Sequence, residues 1–168
     1  LPRTSSLLSK VSPFRVMTVM KRALELEQQG REIVHMEVGE PDFSTAQPII
    51  DAGKRALDEG LTQYTAAPGI PELRDCISQH YQKRYGVSVD RERILITPGA
   101  SGGLTLLANL LINPGDGILL SDPAYPCVRN FIHLMAAETQ LIPVGLAENF
   151  QPGLELLQQH HNSTSKGV

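Results

Sequence analysis

The sequence predicts an α/β fold, a mostly parallel sheet with helices on both faces, from three observations. Short apolar runs alternate with helix-length amphipathic stretches through the second half of the chain. The runs are continuous in apolar residues rather than alternating, as strands covered on both faces are. The stretch ILITPGASGGL, residues 94–104, passes straight from such a run into a knot of small residues that pack almost nothing.

Taken in order, Phe14, Met17, Met20 and Leu24 suit an amphipathic helix that ends before Gly30. Residues 33–38 read as a short strand running into Gly39-Glu40-Pro41-Asp42-Phe43, which is turn chemistry. Ile49, Gly53, Ala56 and Leu57 mark a second helix, stopped by Gly60. Residues 63–69 form an irregular loop, after which Pro71 and Glu72 open a helix carrying Leu73, Cys76, Ile77, His80, Tyr81 and Arg84. Proline fits in a first turn because its missing N–H is not needed there.

From there the pattern alternates strictly. Strands are expected at 94–97, 118–121 and 141–144, and helices at 104–112, 126–136 and 152–161. Leu104, Leu107, Ala108 and Leu111 share one helical face, and Cys127, Phe131, Leu134 and Met135 share another. The cluster Asp90-Arg91-Glu92-Arg93 reads as a solvated turn before a buried strand.

A length of 168 residues accommodates one ordinary domain with a sizeable core. With 41% hydrophobic and 20% charged residues, neither disorder nor a fibrous repeat is indicated. Lys+Arg 15 against Asp+Glu 18 leaves a net charge of −3, and the basic residues are scattered, so no nucleic-acid partner is expected. The longest apolar run, 104–112, is interrupted by Thr105 and Asn109 and is too short to span a bilayer. No leader pattern precedes it. Cys76 and Cys127 have no metal-ligand spacing and read as reduced core residues of a cytoplasmic protein. The opening on Leu1 and the close on Lys166-Gly167-Val168 lead us to expect a piece of a longer chain.

In an open parallel sheet, ligands collect at the carboxyl ends of the strands. Residues 98–103 sit at such an end, where small residues let a ligand approach the backbone and the next helix offers unpaired N–H groups and the positive end of its dipole. That combination binds phosphate, and Ser101 adds a hydroxyl. Taken alone it serves equally as a tight strand-to-helix turn. The next strand end, Ser121-Asp122-Pro123-Ala124-Tyr125-Pro126, sets an aromatic ring on the neighbouring loop. Together the two loops describe a flat, phosphorylated ligand.

Four stretches, in order, resemble the fold-type I pyridoxal-phosphate enzymes, specifically class I/II aminotransferases. They are Val38-Gly39-Glu40-Pro41-Asp42-Phe43, then residues 64–74 (YTAAPGIPELR), then Thr97-Pro98-Gly99-Ala100-Ser101, then Asp122-Pro123-Ala124-Tyr125-Pro126. The likeness covers nearly the whole chain. It implies residues 1–45 as an N-terminal arm with a substrate-entrance loop and 46–168 as the first part of the cofactor-binding large domain, incomplete at its C-terminus. It implies pyridoxal 5'-phosphate as cofactor, an amino acid and a 2-oxo acid as substrates, and a homodimer when full length. By position, Ala100 and Ser101 match the pair that holds the cofactor phosphate, and Tyr125 the residue stacked on the pyridine ring. Tyr64 matches the tyrosine that reaches the partner subunit's cofactor phosphate, and Gly39 the glycine beside the substrate carboxylate.

Such enzymes also need a lysine that bonds the cofactor, a carboxylate for the ring nitrogen and an arginine for the substrate carboxylate. In the family these lie beyond an Asn-Pro-x-x-Pro-Thr-Gly stretch that this chain does not reach, so no catalytic residue is assigned. Ser163-Thr164-Ser165-Lys166 matches the family's lysine motif letter for letter, yet it lies only 65 positions after Ser101 and follows a polar stretch. Nothing apolar flanks Lys166 until Val168, so no desolvated pocket is expected there. It reads as a surface residue just before a strand. His160 and His161 point in different directions on a helix, which argues against a metal. His35, His80 and His133 have no visible partner and are left structural.

Two other readings share the alternating architecture. A dinucleotide-binding domain lacks its fingerprint here, since the glycines stand at 99, 102 and 103. An aminotransferase-like ligand-sensing domain of a regulator needs a DNA-binding module that these residues do not display. The choice of amino acid, and of transamination over lyase or synthase chemistry, depends on groups outside the stretches above.

Overall fold

The structure is a computed structural model and describes residues 3–168. Packing divides it into two compact units: the described residues up to Ile33 together with Pro98–Val168, and Val34–Thr97.

The first unit is organised by a three-stranded parallel sheet. β1 (Gly117–Asp122) lies in the middle, with β2 (Glu138–Pro143) on one side and β3 (Ser165–Gly167) on the other. Gly117 pairs with Glu138 and Asp122 with Pro143, while on the other edge Gly117 pairs with Ser165 and Ile118 with Gly167. Parallel neighbours need crossover connections. These are α5 (Pro126–Leu134) between β1 and β2, and α6 (Leu154–His160) between β2 and β3. The two connections leave in opposite directions, so the strand order reverses at β1, which is where a parallel sheet opens a crevice beyond its carboxyl ends.

Successive strand residues face opposite ways. Leu119, Ile142 and Val144 therefore cluster with Leu156 and Leu157 of α6. On the other face Ile118 shares an apolar cavity of about 370 Å³ with Leu104 and Leu107 of α4 (Gly99–Leu111) and Val128, Phe131 and Ile132 of α5. Helices cover both faces, as the apolar runs predict. α1 (Arg15–Gln28) completes this unit and buries Ala23. It ends before Gly30, as its apolar spacing requires.

Most boundaries differ from expectation by one or two residues, and three differences matter more. The helix expected from 104 begins at Gly99, because Gly99 takes φ +69, a left-handed conformation that costs glycine nothing, and the small residues wind into the first turn. β2 begins at polar Glu138 rather than at 141. Gln140 is ordered there because Gly117 has no side chain: its amide crosses β1 to reach Asn162 Oδ1 at 3.1 Å and Thr164 Oγ1 at 3.0 Å. Lys166 lies within β3 rather than before it, and is exposed.

The second unit holds α2 (Gln47–Asp58), α3 (Pro71–Tyr85) and a 3₁₀ turn at Arg91–Arg93. The strands expected at 33–38 and 94–97 do not form. A strand needs a ladder, and none is offered: within its unit, Ile96 donates its N–H to Pro68 O at 3.0 Å, while Val34 and Met36 are exposed. What ties this unit is a buried cation. Arg74 sends Nε to the carbonyls of Arg91 at 3.1 Å and Ile94 at 3.0 Å, and Nη2 to Arg91 O at 2.7 Å and Glu92 Oε2 at 3.0 Å. One guanidinium thus joins α3 to the 3₁₀ turn.

Cys76 is exposed on α3, which corrects the expectation of a core residue, and Cys127 is half-buried; both are free thiols. His35 has an acid partner after all, Glu37 at 2.7 Å, and that hydrogen bond holds the Glu37 carboxyl below its ordinary value. Among the described residues, no helix is long and apolar enough to cross a membrane, and no group of three or more His, Cys, Asp and Glu could hold a metal ion.

Candidate functional site

The carboxyl end of β1 runs into Asp122-Pro123-Ala124-Tyr125, with a cis peptide between Asp122 and Pro123. Tyr125 is the N-cap of α5, and Pro126 directly after it fixes the helix start. Asp122 is held from both sides: its carbonyl accepts the Val144 N–H at 3.0 Å, and its carboxylate accepts from Arg129 Nη2 at 2.6 Å. Arg129 Nε is buried without a hydrogen-bond partner among the described residues. The strand end and the first turn of α5 are thereby locked together.

Ala100 and Ser101 are the second and third residues of α4, where backbone N–H groups have no carbonyl within the helix to bond. There is no acidic residue in that first turn, so the positive end of the helix dipole is uncancelled. Thr105 donates its hydroxyl back to Ser101 O at 2.8 Å.

The two loops meet. The Ser101 and Cys127 side chains both act on the Tyr125 phenol. Its pKa is raised, first because the Cys127 sulfur takes its hydrogen bond and opposes a second negative charge, then by partial desolvation, with Ser101 acting in the other direction. Phe14 supplies an aromatic neighbour, its ring centroid 6.3 Å from that of Tyr125 with the planes at 76°.

Ser101 and Tyr125 are thus brought together, with Ala100 beside Ser101. Tyr64 and Gly39 belong to the second unit, where the Tyr64 side chain is fully exposed and nothing lies within 4 Å of where a Cβ on Gly39 would stand. Sequence reasoning missed Phe14 and Cys127 as neighbours of Tyr125. The i, i+2 spacing of Tyr125 and Cys127 around Pro126 was the available signal; Phe14 gave none.

Residues 31–168 match the family model of aminotransferase class I and II. The chain belongs to that family.

Its curated relatives include the (5-formylfuran-3-yl)methyl phosphate transaminase of Methanocaldococcus jannaschii, 42% identical over 74% of this chain and 34% of that protein. Another is the valine–pyruvate aminotransferase of Mycobacterium tuberculosis, 36% identical over 89% of this chain and 38% of the relative. Among solved structures, an aminotransferase from Mycobacterium tuberculosis superposes with a TM-score of 0.88 at 34% identity, covering 95% of this chain and 41% of its own. Aspartate aminotransferase from Thermus thermophilus with maleate gives 0.90 at 27% identity, covering 98% and 43%. The chain therefore spans between about a third and about two fifths of the length of these class I and II aminotransferases.

Proposed function

We propose that the whole protein is an aminotransferase that moves an amino group between an amino acid and a 2-oxo acid using pyridoxal 5'-phosphate, and that these 168 residues supply its phosphate cradle and ring stacker. The observation that carries this is that Ser101, in the first turn of α4, acts on the phenol of Tyr125, on the loop after the carboxyl end of β1, in a class I and II aminotransferase chain. The residues fit such a ligand. A side-chain-free Gly99, an acid-free helix start and a neutral phenol accept an anion, while a half-exposed aromatic ring offers a face to a flat heterocycle.

Bound there, the cofactor supplies the electron sink that lets the amino group change carrier. The chain's own residues bind and orient it. The Ala100 and Ser101 amides and the Ser101 hydroxyl donate to the phosphate, and the Tyr125 ring stacks on the heterocycle, braced by Pro126. Gly39 beside the substrate carboxylate and Tyr64 toward the partner subunit's cofactor rest on the sequence likeness, as does the division into an arm, 1–45, and a large-domain portion, 46–168, while a cytoplasmic location rests on the reading of Cys76 and Cys127 as reduced thiols. No catalytic lysine is assigned here: Lys166 sits in β3, far along the chain from the Ser101 turn. A homodimer in the full-length protein is supported by an exposed stripe of Leu106, Leu107, Leu110 and Leu111 on α4.

Pyridoxal phosphate and NAD, added separately to the protein, test the reading by thermal shift. Pyridoxal phosphate is expected to raise the melting temperature, as any ligand that binds only the folded state does, and NAD to leave it unchanged. Ser101→Ala should weaken binding about tenfold, as expected for loss of a hydrogen bond to a charged group. Stabilisation by NAD instead would overturn the assignment. Amino transfer to 2-oxoglutarate by the 168 residues alone, abolished in Lys166→Ala, would overturn the exclusion of that lysine.

A further inference from the structure

The segment that precedes α1 is tied to α5 by three polar contacts. The Ser12 N–H donates to Asn130 Oδ1 at 3.0 Å, and Asn130 Nδ2 donates to Ser12 O at 2.9 Å. One side-chain amide thereby satisfies both backbone groups of a single residue, as a neighbouring strand would. One turn further along α5, His133 Nδ1 donates to Lys10 O at 2.9 Å, and its Nε2 lies 3.3 Å from Thr139 Oγ1. Asn130 and His133 stand three apart and share a helix face. At the outer end Lys10 Nζ meets Glu138 Oε1 at 2.6 Å.

These contacts set where Phe14 goes. It follows Ser12 by two residues, and its ring meets the Tyr125 ring in the edge-to-face arrangement that aromatic pairs prefer. Tyr125 caps the same helix that carries Asn130. The clasp and the ring pair are therefore two ends of one short lever, anchored on α5 at Asn130 and bearing on Tyr125. A phenol ring on a loop, half-exposed, otherwise rotates about its side-chain torsions; an aromatic edge packed against it restricts that rotation.

We propose that Asn130 is a positioning residue for the cofactor site: by clasping Ser12 it seats Phe14 against Tyr125 and holds that ring in the orientation that receives a flat ligand. Asn130 touches no reacting group and acts through Phe14. The inference rests on the reading of Tyr125 as the ring stacker.

Pyridoxal phosphate titrated into the purified protein, followed by the circular dichroism induced in its own absorption band, tests the clasp. The wild type is expected to bind with a distinct induced signal. Asn130→Ala and Phe14→Leu should each weaken binding about three- to tenfold and shrink the signal. The double variant should lose no more than the worse single one, because both changes remove one contact. Asn130→Asp, which keeps the acceptor for the Ser12 N–H, should fall between. Melting temperatures recorded alongside separate loss of the ring's orientation from loss of fold, and Phe14→Leu preserves apolar bulk should Asn130→Ala fold poorly. Wild-type affinity and signal in Asn130→Ala, or losses that add in the double variant, would overturn the clasp while leaving the proposed function standing. A wild type that binds no pyridoxal phosphate would overturn both.

Discussion

The two compact units are built on opposite principles. The unit around β1 buries Leu119, Ile142, Val144, Ile132 and Ala137 in and beside a parallel sheet. In Val34–Thr97, among the described residues, the one buried side chain is a cation, Arg74. Apolar burial is additive and forgiving of small errors in shape, whereas a guanidinium held by backbone carbonyls of the turn and strand-like segment after α3 specifies a single arrangement and costs stability whenever one partner is lost. The candidate phosphate and ring residues sit on the first kind of scaffold. Tyr64 and Gly39 sit on the second.

The contrast can be broken most forcefully at Ile142, which is completely buried. Ile142→Ala is expected to cost about 2–5 kcal/mol, and hydrogen exchange should accelerate across β1 and β2 with α3 unchanged. Equal acceleration in α3 would mean that the units unfold as one. Arg74→Met keeps the stem but strands the carbonyls of Arg91 and Ile94. A loss of about 1–3 kcal/mol is expected, with exchange rising in α3 and at Arg91–Arg93 and not in β1. If the sheet loosened equally, the tie would not be local.

The smallest effect concerns the surface. Lys10, first by hydrogen bond and then by charge, holds the Glu138 carboxyl below its ordinary value. A lowered folded-state pKa means that the pair's stabilisation is complete above the carboxyl's unfolded pKa and is lost as pH falls through the folded one. Acid should therefore release Lys10 from Glu138, and Lys10→Ala should abolish that part of the acid dependence while leaving neutral-pH melting almost unchanged. An acid limb identical in wild type and Lys10→Ala would show that the ion pair carries none of it.

How much was legible follows from the range of each interaction. Pro71 opens α3 locally, and the apolar run 118–120 reads directly as β1. The strand-end rule led to Ser101 and Tyr125 because both follow expected strands, of which only the one before Tyr125 forms. Residues 33–38 and 94–97 carry strand-like composition but have no ladder in their unit, and composition does not reveal the partner a strand needs. The polar half of β2 was hidden because Glu138, Thr139 and Gln140 are placed by pairing and by the amide crossing Gly117, not by apolar periodicity. Asn130 and Ser12 stand 118 positions apart, and a side-chain amide bonding a distant backbone has no period to detect.

The order β2-β1-β3 has a consequence for birth on the ribosome. Forty-three positions separate Asp122, the last residue of β1, from Ser165, the first of β3. At a synthesis rate of about 5–20 residues per second, the far edge of the central strand stays open for about 2–9 s after that strand has been made. Through that interval its bare amides and carbonyls, with Ile118 beside them, invite any extended segment nearby, and a nascent-chain chaperone covering that edge would guard the place where the sheet is most easily mispaired.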